Sequence, residues 1–238
     1  MSALAFAAMR SRREPLRLLI FDCDGVLIDS EPLCDRVVAE ELTALGWTMT
    51  PAESGRLFLG LSFYDMCPMI EAKLGRPLPI DWVGMLVTKL TVVLANEVEA
   101  VPGARDVLEA TNALGLKWRI ASNSSHQEMQ AKFVRTGLHE LVAGRVHSAE
   151  DVVAGGGRGK PAPDLFLAAA ATAGIAPVSC LVIEDSLHGV LAAKAAGMQC
   201  LGYAPHDDGA HLQTAGAVPF HCLSLLPELL RAALDGVA

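Results

Sequence analysis

A continuous apolar run at residues 16–22, which ends in an aspartate, constrains the fold of this chain more than any other feature. Such runs are typical of parallel strands that helices cover on both faces. Similar runs follow at residues 118–121, 180–184 and 199–203, and a shorter one lies at 145–148. The stretches between them show helical patterns bounded by glycine or proline, at residues 103–115, 125–137, 161–174 and 186–197. This alternation of strand and helix predicts an α/β fold with a doubly wound, Rossmann-like parallel sheet.

Residues 30–98 interrupt the alternation, because they show helical periodicity and contain no good strand. The predicted helices of this region lie at residues 30–45, 51–58, 62–74 and 80–97. We therefore expect a small inserted α-helical cap over residues 30–98. The α/β core would then consist of residues 16–29 and 99–238, with hinges near Ile28–Pro32 and Val98–Pro102.

Composition excludes several classes of protein. With 52% hydrophobic and 19% charged residues, the chain is neither disordered nor fibrous. Its net charge of −8 argues against binding to a nucleic-acid backbone, which a basic face would contact. No apolar run approaches the roughly 18 residues that a membrane-spanning helix needs. We expect neither a nucleic-acid partner nor a membrane partner, and a monomer or weak homodimer.

The N-terminal segment and the cysteines bear on localisation. Residues 1–15 begin with a short apolar stretch whose arginines follow it, whereas a secretory signal places its charges first. We interpret this segment as a frayed leader, or as a stretch upstream of a true start at Met9. The six cysteines are scattered without a CxxC pair, which favours buried thiols in a reducing cytoplasm over disulfides or a zinc site.

Polar residues collect where the predicted strands end, which is where doubly wound sheets bind their ligands. Asp22 and Asp24 follow the first strand, and their i, i+2 spacing leaves both on one side of an extended chain. Ser122 and Asn123 end the second strand, and Glu184 and Asp185 end a later one. Lys160 precedes Pro161 and Pro163, which favour the first turn of a helix, and so lies near free backbone N–H groups.

So many carboxylates at one sheet edge need a cation among them, or their pKa values rise. Oxygen ligands alone point to Mg²⁺. A lysine and several N–H donors complete a site suited to a phosphoryl group, on which catalysis is mainly positioning and charge stabilisation.

Four motifs occur in order along the chain: FDCDGVLIDSE, ASNSS, KPAPDLF and EDSLHG. Together they resemble the haloacid dehalogenase superfamily of phosphotransferases, over residues 17 to about 203. The insertion after the first motif resembles the helical cap of the subgroup that contains small-metabolite phosphatases and β-phosphoglucomutase.

The resemblance implies a role for each motif residue. Asp22 resembles the nucleophile that forms an aspartyl-phosphate, and Asp24 resembles the general acid and base. Ser122 and the Asn123 N–H resemble the phosphate contacts, and Lys160 the cation between nucleophile and phosphate. The implied Mg²⁺ ligands are Asp22, the Asp24 carbonyl, Glu184 and Asp185.

The superfamily contains enzymes of several reaction types, and the sequence favours some of them over others. Asp24 favours P–O cleavage with an alcohol leaving group over dehalogenation or phosphonate cleavage. Cys34 and Phe63 stand where β-phosphoglucomutases usually carry a histidine and an arginine, so hydrolysis is favoured over the mutase alternative. The first motif also resembles that of 6-phosphogluconate phosphatase relatives, so we expect a sugar or sugar-acid phosphate as substrate. A non-catalytic phosphometabolite-binding relative is a remote alternative, because no motif residue is lost.

The remaining expectations concern less specific residues. Candidate substrate contacts are Ser30, Arg56, Gly60 and Ser62, although Arg56 fits a solvated helix position equally well. His188 is interpreted as a surface helix residue and Cys23 as a core residue.

Overall fold

The computed structural model describes residues 14–58, 61 and 63–235. Most of the predicted leader lies outside the described residues, as do the candidate substrate contacts Gly60 and Ser62.

Eight strands form two sheets in the described residues: β1 (Leu18–Phe21), β2 (Ile28–Asp29), β3 (Glu99–Ala100), β4 (Lys117–Ser122), β5 (Val146–Ser148), β6 (Cys180–Glu184), β7 (Gln199–Tyr203) and β8 (Val218–Phe220). Six of them make one fully parallel sheet in the order β5-β4-β1-β6-β7-β8. The chain builds β4 and β5 on one side of β1 and then returns to build β6, β7 and β8 on the other. Such a reversal next to β1 is the point where open α/β sheets bind ligands.

The helices of the described residues are α1 (Glu31–Ala44), α2 (Pro51–Phe58), α3 (Phe63–Leu74), α4 (Trp82–Glu97), α5 (Ala104–Ala113), α6 (His126–Arg135), α7 (His139–Val142), α8 (Ala149–Ala154), α9 (Asp164–Ala173), α10 (Leu187–Ala195), α11 (Ala210–Ala215) and α12 (Leu226–Asp235). None of them is long and apolar enough to cross a membrane.

Both faces of the large sheet are buried at its centre, because alternate residues of β1, β6 and β7 enter different apolar clusters. Leu19 and Phe21 of β1 belong to one cluster, and Leu18 and Ile20 belong to the other. Helices α5 and α9 contact the sheet from these two sides. The continuous apolar pattern of residues 16–22 is therefore that of a strand covered on both faces, and the predicted doubly wound α/β fold is confirmed.

Four helices, α1 to α4, lie between β2 and β3, and α1 contacts both α2 and α4. The chain leaves and rejoins the large sheet through β2 and β3, which form a short antiparallel pair with Ile28 opposite Ala100. Helix α4 also contacts α6, so the helical segment rests on the core beside the ends of β1 and β4. The proposed hinges coincide with this pair.

The structure differs from the predicted elements in a few places. Helix α9 begins at Asp164 rather than at 161, because a residue that precedes proline disfavours the helical conformation. The edge strand β8 was not predicted, since three residues with a central proline carry little strand signal. Helices α7, α8, α11 and α12 were also missed.

Candidate active site

Asp22 and Lys160 form the centre of the site. Asp22 follows β1, and its backbone N–H donates to the Ile183 carbonyl at 2.9 Å, which fixes it between β1 and β6. The buried Lys160 ammonium donates to Asp22 Oδ1 at 2.5 Å and to Glu184 Oε1 at 2.6 Å. This single cation therefore joins the ends of two strands. Two carboxylates within hydrogen-bond distance raise the pKa of Lys160, although burial alone would lower it.

Asn123 holds the backbone on which Lys160 stands. Its Oδ1 accepts from the Lys160 N–H at 3.0 Å, and its Nδ2 donates to the Lys160 carbonyl at 3.2 Å. The side chain of this predicted substrate contact is thus engaged in positioning Lys160. A contact between its backbone N–H and phosphate stays a prediction.

Glu184 is fully buried at the end of β6 and accepts four hydrogen bonds. Besides Lys160, the donors are the Asp185 N–H, the Ser186 N–H and the Ser186 hydroxyl, all onto Oε2 at 2.9 to 3.0 Å. A carboxylate offers about four lone-pair sites. Among the predicted metal ligands, Glu184 therefore has the fewest free lone-pair sites for a metal.

Asp185 lies over Gly25, whose φ of +75° belongs to the left-handed region that glycine adopts without strain. The Asp185 carboxylate lies where a Cβ on Gly25 would be, so only glycine fits this position. Asp185 Oδ1 is buried and has no hydrogen-bond partner among the described residues. A buried orphaned carboxylate oxygen is costly unless another group completes it.

The carboxylates of Asp22, Glu184 and Asp185 each present an oxygen within 4.8 Å of the others. Burial, and next the Glu184 charge, raise the pKa of Asp22 to about 7, in spite of the Lys160 cation. Burial and the same neighbour raise the pKa of Asp185 well above its ordinary value. Oxygen donors, crowded negative charge and the orphaned Oδ1 together fit a hard divalent cation such as Mg²⁺.

Asp24 is held by residues from several elements. Its Oδ1 accepts from the Ser30 hydroxyl and the Lys132 ammonium, each at 2.7 Å. Its Oδ2 accepts from the Ser124 hydroxyl at 2.9 Å and lies 3.5 Å from the Ser122 hydroxyl. Burial raises the pKa of Asp24, but Lys132 and these hydrogen bonds lower it more, so its net pKa lies below the ordinary value.

Sequence reasoning missed Lys132 and Ser124. Lys132 is buried in the middle of α6, and it also donates to the Ser124 hydroxyl at 3.1 Å. Its position between the buried residues Met129 and Phe133, on the apolar side of the helix, is the signal that was available.

The other residues singled out in the sequence differ in how close they lie to the site. Ser30 is buried beside Asp24, whereas Arg56 is exposed on α2 and lines neither cavity at the site. His188 is half-buried and lines the cavity beside Asp22, so it is not simply a surface residue. Cys23 is buried in the core, as predicted.

Two cavities meet at Asp24. The strand-end cavity, of about 220 Å³, contains Asp22, Lys160 and Asp185. The helix-side cavity, of about 320 Å³, extends between α1, α2, α4 and α6. Asp24, Glu31 and Ser124 line both, so a molecule bound over Asp22 would reach past Asp24 into the helix-side cavity.

Known proteins resemble this chain in sequence and in fold. The chain is 26% identical to 6-phosphogluconate phosphatase of Escherichia coli K12 over 91% of its length and 96% of the relative. It is 28% identical to hexitol phosphatase B of the same organism, over 76% of this chain and 81% of that one. A haloacid dehalogenase-family hydrolase from Deinococcus radiodurans R1, solved with bound phosphate and sodium, superposes with a TM-score of 0.78 and 32% identity, covering 92% of this chain and 97% of the other.

The family model for haloacid dehalogenase-like hydrolases matches residues 16–197, which include all four motifs and the helical segment. A match over most of the chain, together with the shared fold, shows that this protein belongs to the haloacid dehalogenase-like hydrolases.

Proposed function

We propose that the protein is a Mg²⁺-dependent phosphatase that hydrolyses a small phosphorylated metabolite through an aspartyl-phosphate on Asp22. The observation that carries the proposal is the Lys160 ammonium, which lies 2.5 Å from Asp22 Oδ1 and 2.6 Å from Glu184 beside the orphaned Asp185 oxygen. A cation fixed against a carboxylate at a sheet edge suits a phosphoryl group between them.

In the first step, Asp22 Oδ2 attacks phosphorus, since only Oδ1 is bound to Lys160 among the described residues. The bond from phosphorus to the substrate alcohol breaks, and Asp24 gives the leaving oxygen a proton. In the second step, water attacks phosphorus, Asp24 takes the water proton, and the bond to Asp22 breaks. Lys160, Ser122 and the Asn123 N–H would contact the phosphoryl oxygens.

Asp24 needs both protonation states in this cycle. Lys132 stabilises the carboxylate, which is the form that activates water, and it opposes the protonated form that the first step requires. Lys132 therefore tunes the general acid and base, although it belongs to none of the four motifs.

Asp22, Asp185 and the Asp24 carbonyl would hold the Mg²⁺, with Glu184 as a further ligand that also positions Lys160. When bound, the ion supplies positive charge to the phosphoryl oxygens and orients them.

We propose residues 30–98 as a cap that covers the site and excludes bulk water. Phe63 and Cys34, at the positions that resemble mutase residues, line the helix-side cavity, where they offer no cation for a second phosphate. Hydrolysis is therefore favoured over a mutase that handles a bisphosphate. The relatives named for 6-phosphogluconate and hexitols support a sugar or sugar-acid phosphate as the starting hypothesis.

The test is phosphate release from a panel of phosphorylated metabolites, measured with Mg²⁺ and with EDTA. The panel contains hexose phosphates, 6-phosphogluconate, hexitol phosphates and β-glucose 1-phosphate. We expect release that EDTA abolishes and that added Mg²⁺ restores. Conversion of β-glucose 1-phosphate to glucose 6-phosphate without release, when a bisphosphate primer is added, would support the mutase. No turnover with or without the primer would support a non-catalytic relative.

A further inference from the structure

The helix-side cavity carries unpaired negative charge next to the proposed catalytic residues. Asp35 on α1 is half-buried and lines this cavity, and its carboxylate lies against Gly55 of α2. Glu31, one helical turn earlier, is exposed where the two cavities meet. Among the described residues, neither carboxylate has a hydrogen-bond or ion-pair partner. Burial, and next the nearby charge of Glu31, raise the pKa of Asp35 to about 6.

A second and independent observation in the same cavity points to a bound ligand. Ser54 of α2 lines the cavity and is 1% exposed, and its buried hydroxyl has no hydrogen-bond partner among the described residues. A serine within a helix usually donates to the carbonyl four residues earlier. Here only the Ser54 backbone N–H pairs with the Thr50 carbonyl. An orphaned buried hydroxyl is costly and is satisfied most simply by a polar group of the ligand.

The cations of the described residues do not neutralise this cavity. Lys132 is the lysine that lines it, and its ammonium is already paired with Asp24 at 2.7 Å. Glu128 adds a third acidic group at the α6 side, where its carboxylate accepts from the Ser125 N–H. His206 influences Glu31 from the side away from the helix-side cavity. Residues 59, 60 and 62, between α2 and α3, are Leu, Gly and Ser and carry no charge.

Apart from Ser30 and Ser124, whose hydroxyls donate to Asp24, the rest of the cavity wall is mostly apolar, with Phe58, Phe63, Met66, Leu90 and Leu94 among its members. A polyol would leave most of its hydroxyls against these side chains without partners. A carboxylate or a second phosphate would meet Asp35 and Glu31 with like charge. An ammonium brings three donors and no acceptor, so it can donate to the Asp35 carboxylate and the Ser54 hydroxyl together.

We propose that Asp35 and Ser54 are specificity-determining residues that bind a cationic amino group on the leaving alcohol, so the preferred substrates are phosphate monoesters of amino alcohols. The proposal rests on the proposed phosphatase function and replaces its starting hypothesis of a sugar or sugar-acid phosphate. Hydrolysis releases phosphate and the free amino alcohol, with the proton on the leaving oxygen supplied by Asp24.

The test uses three two-carbon esters that differ in one group: 2-aminoethyl phosphate, 2-hydroxyethyl phosphate and phosphoglycolate. Phosphate release with Mg²⁺ gives kcat/KM for each, and calorimetric titration of the D22N variant gives binding without turnover. We expect the amine ester to exceed the hydroxyl ester by about tenfold in kcat/KM, as for a charge-assisted hydrogen bond, and the carboxylate ester to be lowest.

Two variants test whether Asp35 and Ser54 cause the preference for the amine ester, and a matched variant controls for overall charge. D35N should bring the ratio of amine to hydroxyl ester close to one, and S54A should reduce it by about threefold. E40Q makes the same charge change on the same helix, at an exposed position that pairs with Lys89 and Arg36, and should keep the wild-type ratio.

The outcomes separate the two proposals. Equal or faster hydrolysis of the hydroxyl or carboxylate ester overturns the amine preference and leaves the phosphatase intact. So does a wild-type ratio in D35N, or a loss of the ratio in E40Q. Release from none of the esters, with none bound by D22N, overturns the amine preference, and absence of release from the metabolite panel as well overturns the phosphatase.

Discussion

Lys132 sets the charge state of Asp24, although it lies 108 residues further along the chain. Its side chain is buried and its ammonium lies 2.7 Å from the carboxylate, so its removal should raise the pKa of Asp24. In K132M, which keeps the length of the side chain, the limb of the pH–rate profile that reports Asp24 should move to higher pH. The measurement is kcat against pH for wild type, K132M and K132R. K132R should restore the wild-type profile, and identical profiles for wild type and K132M would refute this role.

The residue scale also shows what the sequence predicts and what it cannot. Asp22, Asp24, Lys160 and Asp185 were predicted because they directly follow predicted strands or precede a helix, and strand ends meet at one sheet edge. Lys132 lies on the apolar side of its helix, which was a signal that sequence reasoning passed over. Asp35 and Ser54 also lie inside helices, and nothing in their spacing distinguishes a buried polar side chain from a solvated one. Their approach to Asp24 or to the helix-side cavity depends on how α1, α2 and α6 pack, which is a tertiary property.

Helix α6 holds both Ser124 and Lys132 in place through its first turn. Ser125 accepts from the Glu128 N–H at 3.1 Å, and the Glu128 carboxylate accepts from the Ser125 N–H at 2.8 Å, which makes a reciprocal capping box. S125A removes one of these bonds and should lower the free energy of unfolding by about 1 kcal/mol, measured by urea denaturation. T172A on α9 removes a hydroxyl that bonds only within its helix, and should cost less than about 0.5 kcal/mol. An S125A cost as small as that of T172A would contradict the capping role.

At the scale of elements, most long patterns predicted their element and most short ones did not, although the ten-residue helix α12 was missed. Each covered strand from β1 to β7 in the large sheet was anticipated from an apolar run, and α1 to α4 from helical periodicity. Strands β2, β3 and β8 have two or three residues, so they form because neighbouring backbone supplies partners rather than because of their own sequence. The late start of α9 follows from prolines 161 and 163, whose local effect outweighs the apolar pattern.

The buried carboxyl groups of the site lower the free energy of unfolding of the whole molecule when they are charged. A buried carboxyl with a raised pKa binds its proton more tightly when folded than when unfolded. Stability is therefore lost as pH rises between the ordinary pKa of 3.8 and about 7 for Asp22. In EDTA, the free energy of unfolding should fall from pH 5 to pH 8, and it should fall less steeply in D22N. Denaturation at several pH values checks this, and equal slopes would show that Asp22 does not carry the cost.

The most direct test of the account is phosphate release by D22N with Mg²⁺ at pH 8, beside wild type and D106N. D106N makes the same substitution at an exposed position on α5 and should retain wild-type activity. We predict that D22N is folded, by its denaturation curve, and that its kcat is lower than that of wild type by about a thousandfold or more, as for the loss of a nucleophile. A folded D22N that keeps more than about a tenth of the wild-type rate would contradict the assignment of Asp22 and the mechanism built on it.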